Sequence, residues 1–434
     1  MKITSTYSVK IKDRNRSFKN SVFLYRKAVD WYIGVCLNEW EGILSIEGPK
    51  ARLTFVEQLT VSTKSRSGLT YDFTSYLYKF PCYLRRAAIN EAIGLVSSYK
   101  SNYANWEEKK EGKEPGIPKA GYVYPVLYSG NMLIHSNTYE AKIKVWIRNT
   151  WDWVTVKLKK SDVDYILHHY RNGKVCSPTL QKRGKEWFLD FPFEYKSNLT
   201  KKKTKDQIVL AVDLGINNAC TCSLMKSDGT VIGRSFLKLP VENDSLNHRL
   251  NKIKQAQQRG NRKMPRLWAS VNGMNDHIAV RTANFIIAIA EVNNADVIIF
   301  EHLDAKGKKK GLKKQRLHFW KANYVQDMVE HKAHKLGMRI ARVCAWNTSK
   351  LAYDGSGEVE RNINGSYSVC KFKTGKIYNC DLNASYNIGA RYFIRELLKS
   401  CSETDKLRIL ANVPECSKRI TCILSSLIKL SAEL

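Results

Sequence analysis

The spacing of apolar residues changes period twice in the first half of the chain. In residues 1–14, Ile3, Tyr7, Val9 and Ile11 mostly alternate with polar neighbours, which predicts a short strand. From Ser17 the period lengthens: Phe18, Val22, Tyr25, Val29, Tyr32 and Val35 recur at helical spacing. Helical character continues through Arg52–Leu59 and into a long helix after Pro81, where Leu84, Ala88, Ile93 and Val96 share a face. Residues 107–119 are charged and carry Pro115, Gly116 and Pro118, the chemistry of a linker. Alternation returns over 122–195 in Lys142–Ile147, Trp153–Leu158 and Trp187–Phe193. Turn signals at Arg171-Asn172-Gly173 and Arg183-Gly184 separate such runs, which predicts a small antiparallel barrel. The lysines of 201–205 mark a boundary.

Beyond it the pattern reads strand, strand, helix, strand, helix, strand. Ile208–Met225 and Thr230–Leu239 form a predicted hairpin around Ser227-Asp228-Gly229. Asp276–Val292 is an amphipathic helix, Ala295–His302 a buried strand, and His318–Leu336 a helix ending at Gly337. Met338–Ala345 is a further strand, Asp381–Lys399 a helix opened by an aspartate, and Ser417–Leu434 a final packed helix. This is an α/β layer arrangement with a mixed sheet.

Charge narrows the function. The chain has 434 residues, a net charge of +32 and a pI near 9.7, so it attracts polyanions, nucleic acid first among them. No apolar run approaches the roughly 18 residues of a membrane span. The N-terminus lacks a secretory pattern, and eleven scattered cysteines suit a reducing compartment. A cytosolic protein without a membrane partner is expected.

Against that basic background three carboxylates stand beside apolar segments: Asp213 in Ala211-Val212-Asp213-Leu214-Gly215, Glu301 closing Val297–Phe300, and Asp381 opening Asp381-Leu382-Asn383-Ala384. A carboxylate at the end of a buried strand is costly unless it is paired or holds a cation. Hard divalent cations prefer such oxygen donors. Gly215 would let a phosphate approach the backbone, and Asn383 would orient ligands or water. Singly, each of these residues has an ordinary structural reading as turn former, strand end or helix cap. Together, in this order, they point to a metal-dependent nuclease.

The segments Ala211–Ile216, Ile299–Leu303 and Asp381–Gly389 resemble the three split RuvC motifs of TnpB, the transposon-encoded RNA-guided nuclease, and of the compact type V CRISPR effectors. The resemblance implies an RNase H-like (RuvC) nuclease domain, with an N-terminal wedge barrel carrying a helical recognition insertion. In that layout residues 1–16 and 119–205 form the barrel and 17–118 the helical lobe. Residues 206–343 and 381–434 form the nuclease, with 344–380 inserted. It implies Asp213, Glu301 and Asp381 as ligands of two Mg2+ ions (Mn2+ in substitution), a guide RNA and a double-stranded DNA target. Monomer and homodimer both remain open.

The family's zinc ribbon would fall in 344–380, with two Cys-x-x-Cys pairs. Here Lys350–Gly355 and Cys370–Lys376 hold no such pairs, and Cys344, Cys370 and Cys380 lack paired spacing. No structural zinc is expected, and a hairpin over Ser366–Tyr378 is predicted to replace it. Nucleic-acid contacts are expected from Arg14 and Arg16, from Arg85, Arg86 and Asn90 as readers of a flanking duplex motif, and from Arg249, Lys252, Arg259 and Arg262 as backbone grips. The run Lys308, Lys309, Lys310, Lys313 and Lys314 is read either as a guiding lid or as a solvated loop. Two rival readings stay open: an RNA-guided DNA-binding repressor with little or no cleavage, and an unguided transposase- or resolvase-type nuclease.

Overall fold

The computed structural model describes residues 1–434 except 14, 65, 67, 68, 171, 217, 304–319, 364 and 365; at 362, 363, 366 and 367 it describes the backbone alone. The chain divides into two compact units, Lys2–Tyr195 and Lys196–Leu434 with Met1. The division falls at the end of a strand, ahead of the lysine run that marked it in the sequence.

In the first unit β1 (Lys2–Ile11) leads into α1 (Arg16–Asn38), whose N-cap Asn15 accepts a hydrogen bond from the Ser17 amide at 2.8 Å. The helix buries the predicted stripe of Phe18, Val22, Tyr25, Val29 and Tyr32. After the short α2 (Trp40–Leu44), α3 (Pro49–Thr60) and α4 (Phe73–Tyr76), the long α5 (Cys82–Lys109) packs along α1. The strands form two small antiparallel sheets. One joins β1, β7 (Glu186–Lys196) and β5 (Lys174–Val175), with β6 (Thr179–Arg183) paired to β7; the other is β2 (Leu133–Asn137), β3 (Glu140–Ile147) and β4 (Thr150–Lys157).

Among the described residues the strands do not close into the expected barrel. The two sheets meet there through the bridge Ile11–Leu158, and α1 fills the gap, where the Ser21 hydroxyl accepts from the Trp146 amide at 2.8 Å. Helices and sheets share one core in which Tyr25, Tyr32, Phe73 and Phe193 are fully buried. A further helix, α6 (Lys160–His169), went unforeseen because it buries only Val163 and so carries almost no apolar stripe.

The second unit is built on a five-stranded mixed sheet in the order β10-β9-β8-β11-β12. These strands are β8 (Val209–Asp213), β9 (Cys220–Met225), β10 (Val231–Leu237), β11 (Val297–His302) and β12 (Arg339–Cys344). The sequence reading ran β8 and β9 together; they are separate antiparallel strands, the first ending at Asp213 and the second beginning at Cys220. Parallel pairing sets Val297 beside Val209 and Phe300 beside Val212, and on the other side Glu301 beside Val343.

Both faces are covered. Leu210, Val212, Ile298 and Phe300 meet α8 (Pro265–Val292) and α9 (Ala322–Lys335). Val209, Ala211, Val297, Ile299 and Val343 meet α10 (Cys380–Ser400), α11 (Glu403–Asn412) and α12 (Leu424–Glu433). Burial on both sides explains why the β8 and β11 sequences are continuously apolar rather than alternating. A Cβ at Gly389 would lie 3.1 Å from Met225 and 3.3 Å from Ala211, so α10 rests on the sheet closely enough that a side chain there would have to push its neighbours aside.

Ahead of α8 stands α7 (Pro240–Gln258), which the sequence reading did not register. The two form a helical hairpin with its own small core of Leu250, Ile253 and Val271. Between β12 and α10 the inserted segment folds as an antiparallel trio, β13 (Glu360–Ile363), β14 (Ser366–Lys371) and β15 (Ile377–Asn379). Its core is Ala352, Cys370, Phe372 and Cys380, flanked by Tyr353 and Tyr378. Among the described residues no helix is long and apolar enough to cross a membrane.

Candidate active site

Asp213 ends β8, and Glu301 is the next residue of β11 after the last paired position, so the two occupy one level on adjoining parallel strands. Such strands lie roughly 4.8 Å apart. Alternation along the strands puts both carboxylates on the face that carries α10. Asp381 sits in the first turn of that helix. The sequence reading made it the cap, but the cap is Asn379, whose side chain accepts from the Leu382 amide at 2.9 Å. The Asp381 carboxylate is therefore not spent on capping and sits at the positive end of the helix.

The three acids act on one another. Burial first, then the charges of Glu301 and Asp381, push the Asp213 carboxyl well above the usual carboxylate range, while Arg361 of β13 pulls the other way. Burial also raises Glu301, which the Thr348 hydroxyl and Arg391 oppose. Thr348 donates to Glu301 Oε1 at 2.5 Å, and Asn218 Nδ2 donates to Asp381 Oδ2 at 2.6 Å. Among the described residues no three His, Cys, Asp or Glu side chains converge as a ready-made cation cluster. Two of the three carboxylates here are turned to protein donors. The donor set nevertheless suits a hard divalent cation: oxygen ligands only, and negative charge that Arg361 balances in part.

Gly215 has a different task from the one expected. A Cβ there would lie 2.6 Å from the Asn218 carbonyl oxygen, so the glycine makes room for the chain's own backbone in the turn that presents Asn218 to Asp381. Asn383 likewise does not face the site; it is fully buried. It accepts from the Tyr353 amide at 2.8 Å and donates to the Leu351 carbonyl at 2.9 Å. It is the first of a polar row spaced four residues apart down α10. Asn387 donates to the carbonyls of Thr348 and Leu351, both at 2.9 Å, and accepts from the Leu424 amide at 3.2 Å.

Buried Arg391 donates to four carbonyls: Cys344 at 2.6 Å, Trp346 at 2.7 Å, Ile420 at 3.0 Å and Cys422 at 3.1 Å. Arg395 donates to the Arg342 carbonyl at 2.9 Å. The row fixes the backbone that carries Thr348, and through Thr348 it fixes Glu301. None of Asn218, Thr348, Asn387, Arg391 or Arg361 was singled out from the sequence. The spacing of polar residues by fours inside an apolar helix was the available signal for two of them.

The other expected contacts divide. Arg85 and Arg86 share Glu57, each at 3.0 Å, and so tie α5 to α3 rather than standing free on the surface. Arg249 donates to the Ser270 carbonyl at 2.9 Å and bridges α7 to α8. Arg16 and Asn90 are exposed, as are Lys252, Arg259 and Arg262 around the tip of the α7–α8 hairpin. Arg14, Lys308, Lys309, Lys310, Lys313 and Lys314, and the start of the helix expected from His318, lie outside the described residues.

The comparisons with known proteins bear on both units. A family model named the Aq_aa04 family matches residues 5–147, and one named the Cas12f1-like TNB domain matches 323–388. The chain is 35% identical over 144 residues to the uncharacterized protein aq_aa04 of Aquifex aeolicus (strain VF5), covering 29% of this chain and 79% of that protein. It is 28% identical over 237 residues to the TnpB-like protein aq_aa05 of the same organism, covering 49% of this chain and 76% of that one. Among solved structures, a Cas12f1–sgRNA–target DNA complex is similar with a TM-score of 0.49 and 15% identity, over 89% of this chain and 98% of that one. The mini-RNA-guided endonuclease CRISPR-Cas_phi3 gives 0.43 and 11%, over 89% and 92%. The chain therefore belongs to the family of aq_aa04, and beyond that region it is similar to TnpB-like and Cas12f1-like proteins.

Proposed function

We propose that the chain is an RNA-guided DNA endonuclease that hydrolyses phosphodiester bonds at one carboxylate site and requires a short motif beside its target. The observation that carries this reading is the placement of Asp213, Glu301 and Asp381, remote in sequence, at one end of one sheet. These three would hold the divalent cations. A bound pair of magnesium ions, or manganese in their place, would activate water and stabilise the leaving oxygen.

The chain's own contribution is position and charge. Thr348 holds Glu301, and Asn218 holds Asp381. Arg361, whose Nη2 donates to the Ser349 carbonyl at 2.5 Å, brings a fixed positive charge near Asp213, where an incoming phosphate needs it. The strongly cationic surface gathers RNA and DNA with little regard to sequence, and base pairing by the guide supplies selection.

The test is plasmid cleavage by the full chain purified with its co-expressed RNA, with magnesium present. Cutting by the wild type and none by Asp213→Ala, with RNA retained in both, supports the reading. Equal cutting by the variant would falsify it. RNA-dependent binding without cutting by the wild type favours the repressor, and a preparation free of RNA that still cuts favours an unguided nuclease.

A further inference from the structure

The protein also exposes an aromatic ring beside its carboxylates that no buried contact explains. Trp346 is 75% exposed, although the turn that carries it is held firmly. Arg391 grips the carbonyls of Cys344 and Trp346, Asn387 grips that of Thr348, and Asn347 adopts a left-handed φ of 62°. Leaving so large an apolar ring in water forfeits burial worth roughly 1.5–3 kcal/mol or more. The bonded backbone fixes the point from which the ring projects.

Trp346 borders a cavity of about 1460 Å³. Seven Lys or Arg residues line this cavity and no Asp or Glu does; Arg342, Arg395 and Lys399 also reach Glu330 and Glu396 beside it, whereas Arg419 is exposed. Tyr324, 45% exposed, is a second aromatic on its wall. A cationic groove edged by stacking rings suits a single-stranded nucleic acid: phosphates meet the basic side chains and bases meet the rings, in any sequence.

We infer that Trp346 is a stacking platform for a base of the DNA strand about to be cut, an inference that rests on the nuclease reading above. Thr348, which donates to Glu301, stands two positions after Trp346, and two such steps span at most about 7 Å of chain. The Trp346 backbone is therefore tethered close to the segment that holds Glu301, and a base on the ring would belong to the strand that leads to the carboxylates. Trp346 is a positioning residue: it touches the substrate strand and takes no part in bond breaking.

The experiment uses the full chain with its copurified RNA and single-stranded DNA carrying 5-iododeoxyuridine near the cut. Irradiation should join that base to a peptide containing Trp346. Trp346→Ala should raise KM for DNA by about tenfold or more, the loss typical of one base–aromatic stack. Its kcat and thermal stability should change little, Trp346→Phe should restore most of the affinity, and Trp346→Leu should not. Arg419→Ala, on an exposed side chain of the groove, should weaken DNA binding independently. No crosslink at Trp346 together with unchanged KM in Trp346→Ala overturns the inference, as does a crosslink formed by RNA alone. If the crosslink forms and nothing is cut, the nuclease reading fails and the platform stands. If Asp213-dependent cutting proceeds with Trp346→Ala indistinguishable from wild type, the platform fails alone.

Discussion

Asp213 sits where its own charge is opposed by burial and by two neighbouring acids, with Arg361 as partial compensation. The folded state binds its proton more tightly than the unfolded chain does. Stability from this group is therefore full below the ordinary aspartate value of 3.8 and is lost as pH rises through the raised folded value. At neutral pH the charge works against the fold. Asp213→Asn should then melt at a higher temperature than the wild type in chelator at neutral pH, by a gain on the order of 1 kcal/mol, and the gain should vanish in acid. Magnesium should raise the melting temperature of the wild type more than that of the variant; scanning calorimetry at several pH values reads both effects. Arg361 tests the opposite sign. Arg361→Ala removes a positive charge from the site and should cut the cleavage rate by roughly 10²–10³-fold with RNA binding intact, measured in single-turnover assays.

At the level of elements, α10 is where sequence and structure agree most and also where the sequence kept something back. The motif Asp381–Gly389 was legible because a lone acid opened an apolar helical run. The turn Asp213–Gly215 and the end of β11 were legible for the same reason. The polar row Asn383, Asn387, Arg391 and Arg395 was not, because its partners are backbone carbonyls of residues 342–351 and 420–422, which only the folded chain brings near. Thr348 and Asn218 escaped similarly: each matters through one hydrogen bond to a residue far along the chain. α7 was missed because its apolar residues serve a private core with α8 rather than the sheet. Asn387→Ala would strip the bonds to Thr348, Leu351 and Leu424 from a buried place. It should lower stability in urea denaturation by about 1–3 kcal/mol, and cleavage should fall with it as Thr348 loosens its hold on Glu301.

For the whole molecule, the excess of 72 Lys and Arg over 40 Asp and Glu sets how it meets nucleic acid. On the proposed reading, in which phosphate contacts dominate, affinity for RNA and DNA should fall by about 10³-fold or more between ~50 and ~200 mM salt, measured by filter binding. Two separate Aquifex proteins match parts of this single chain, one of them over 144 residues and the other over 237. The polar row on α10 has one more effect at this scale. β12 ends its sheet, and an unpaired border of that kind ordinarily invites a strand from another molecule. The oxygens of Arg342 and Cys344, alternate residues on β12, are already taken by guanidinium groups from the same chain. Two of the acceptors that another strand would need are thus already engaged, which makes β12 a poorer template for pairing with a second molecule.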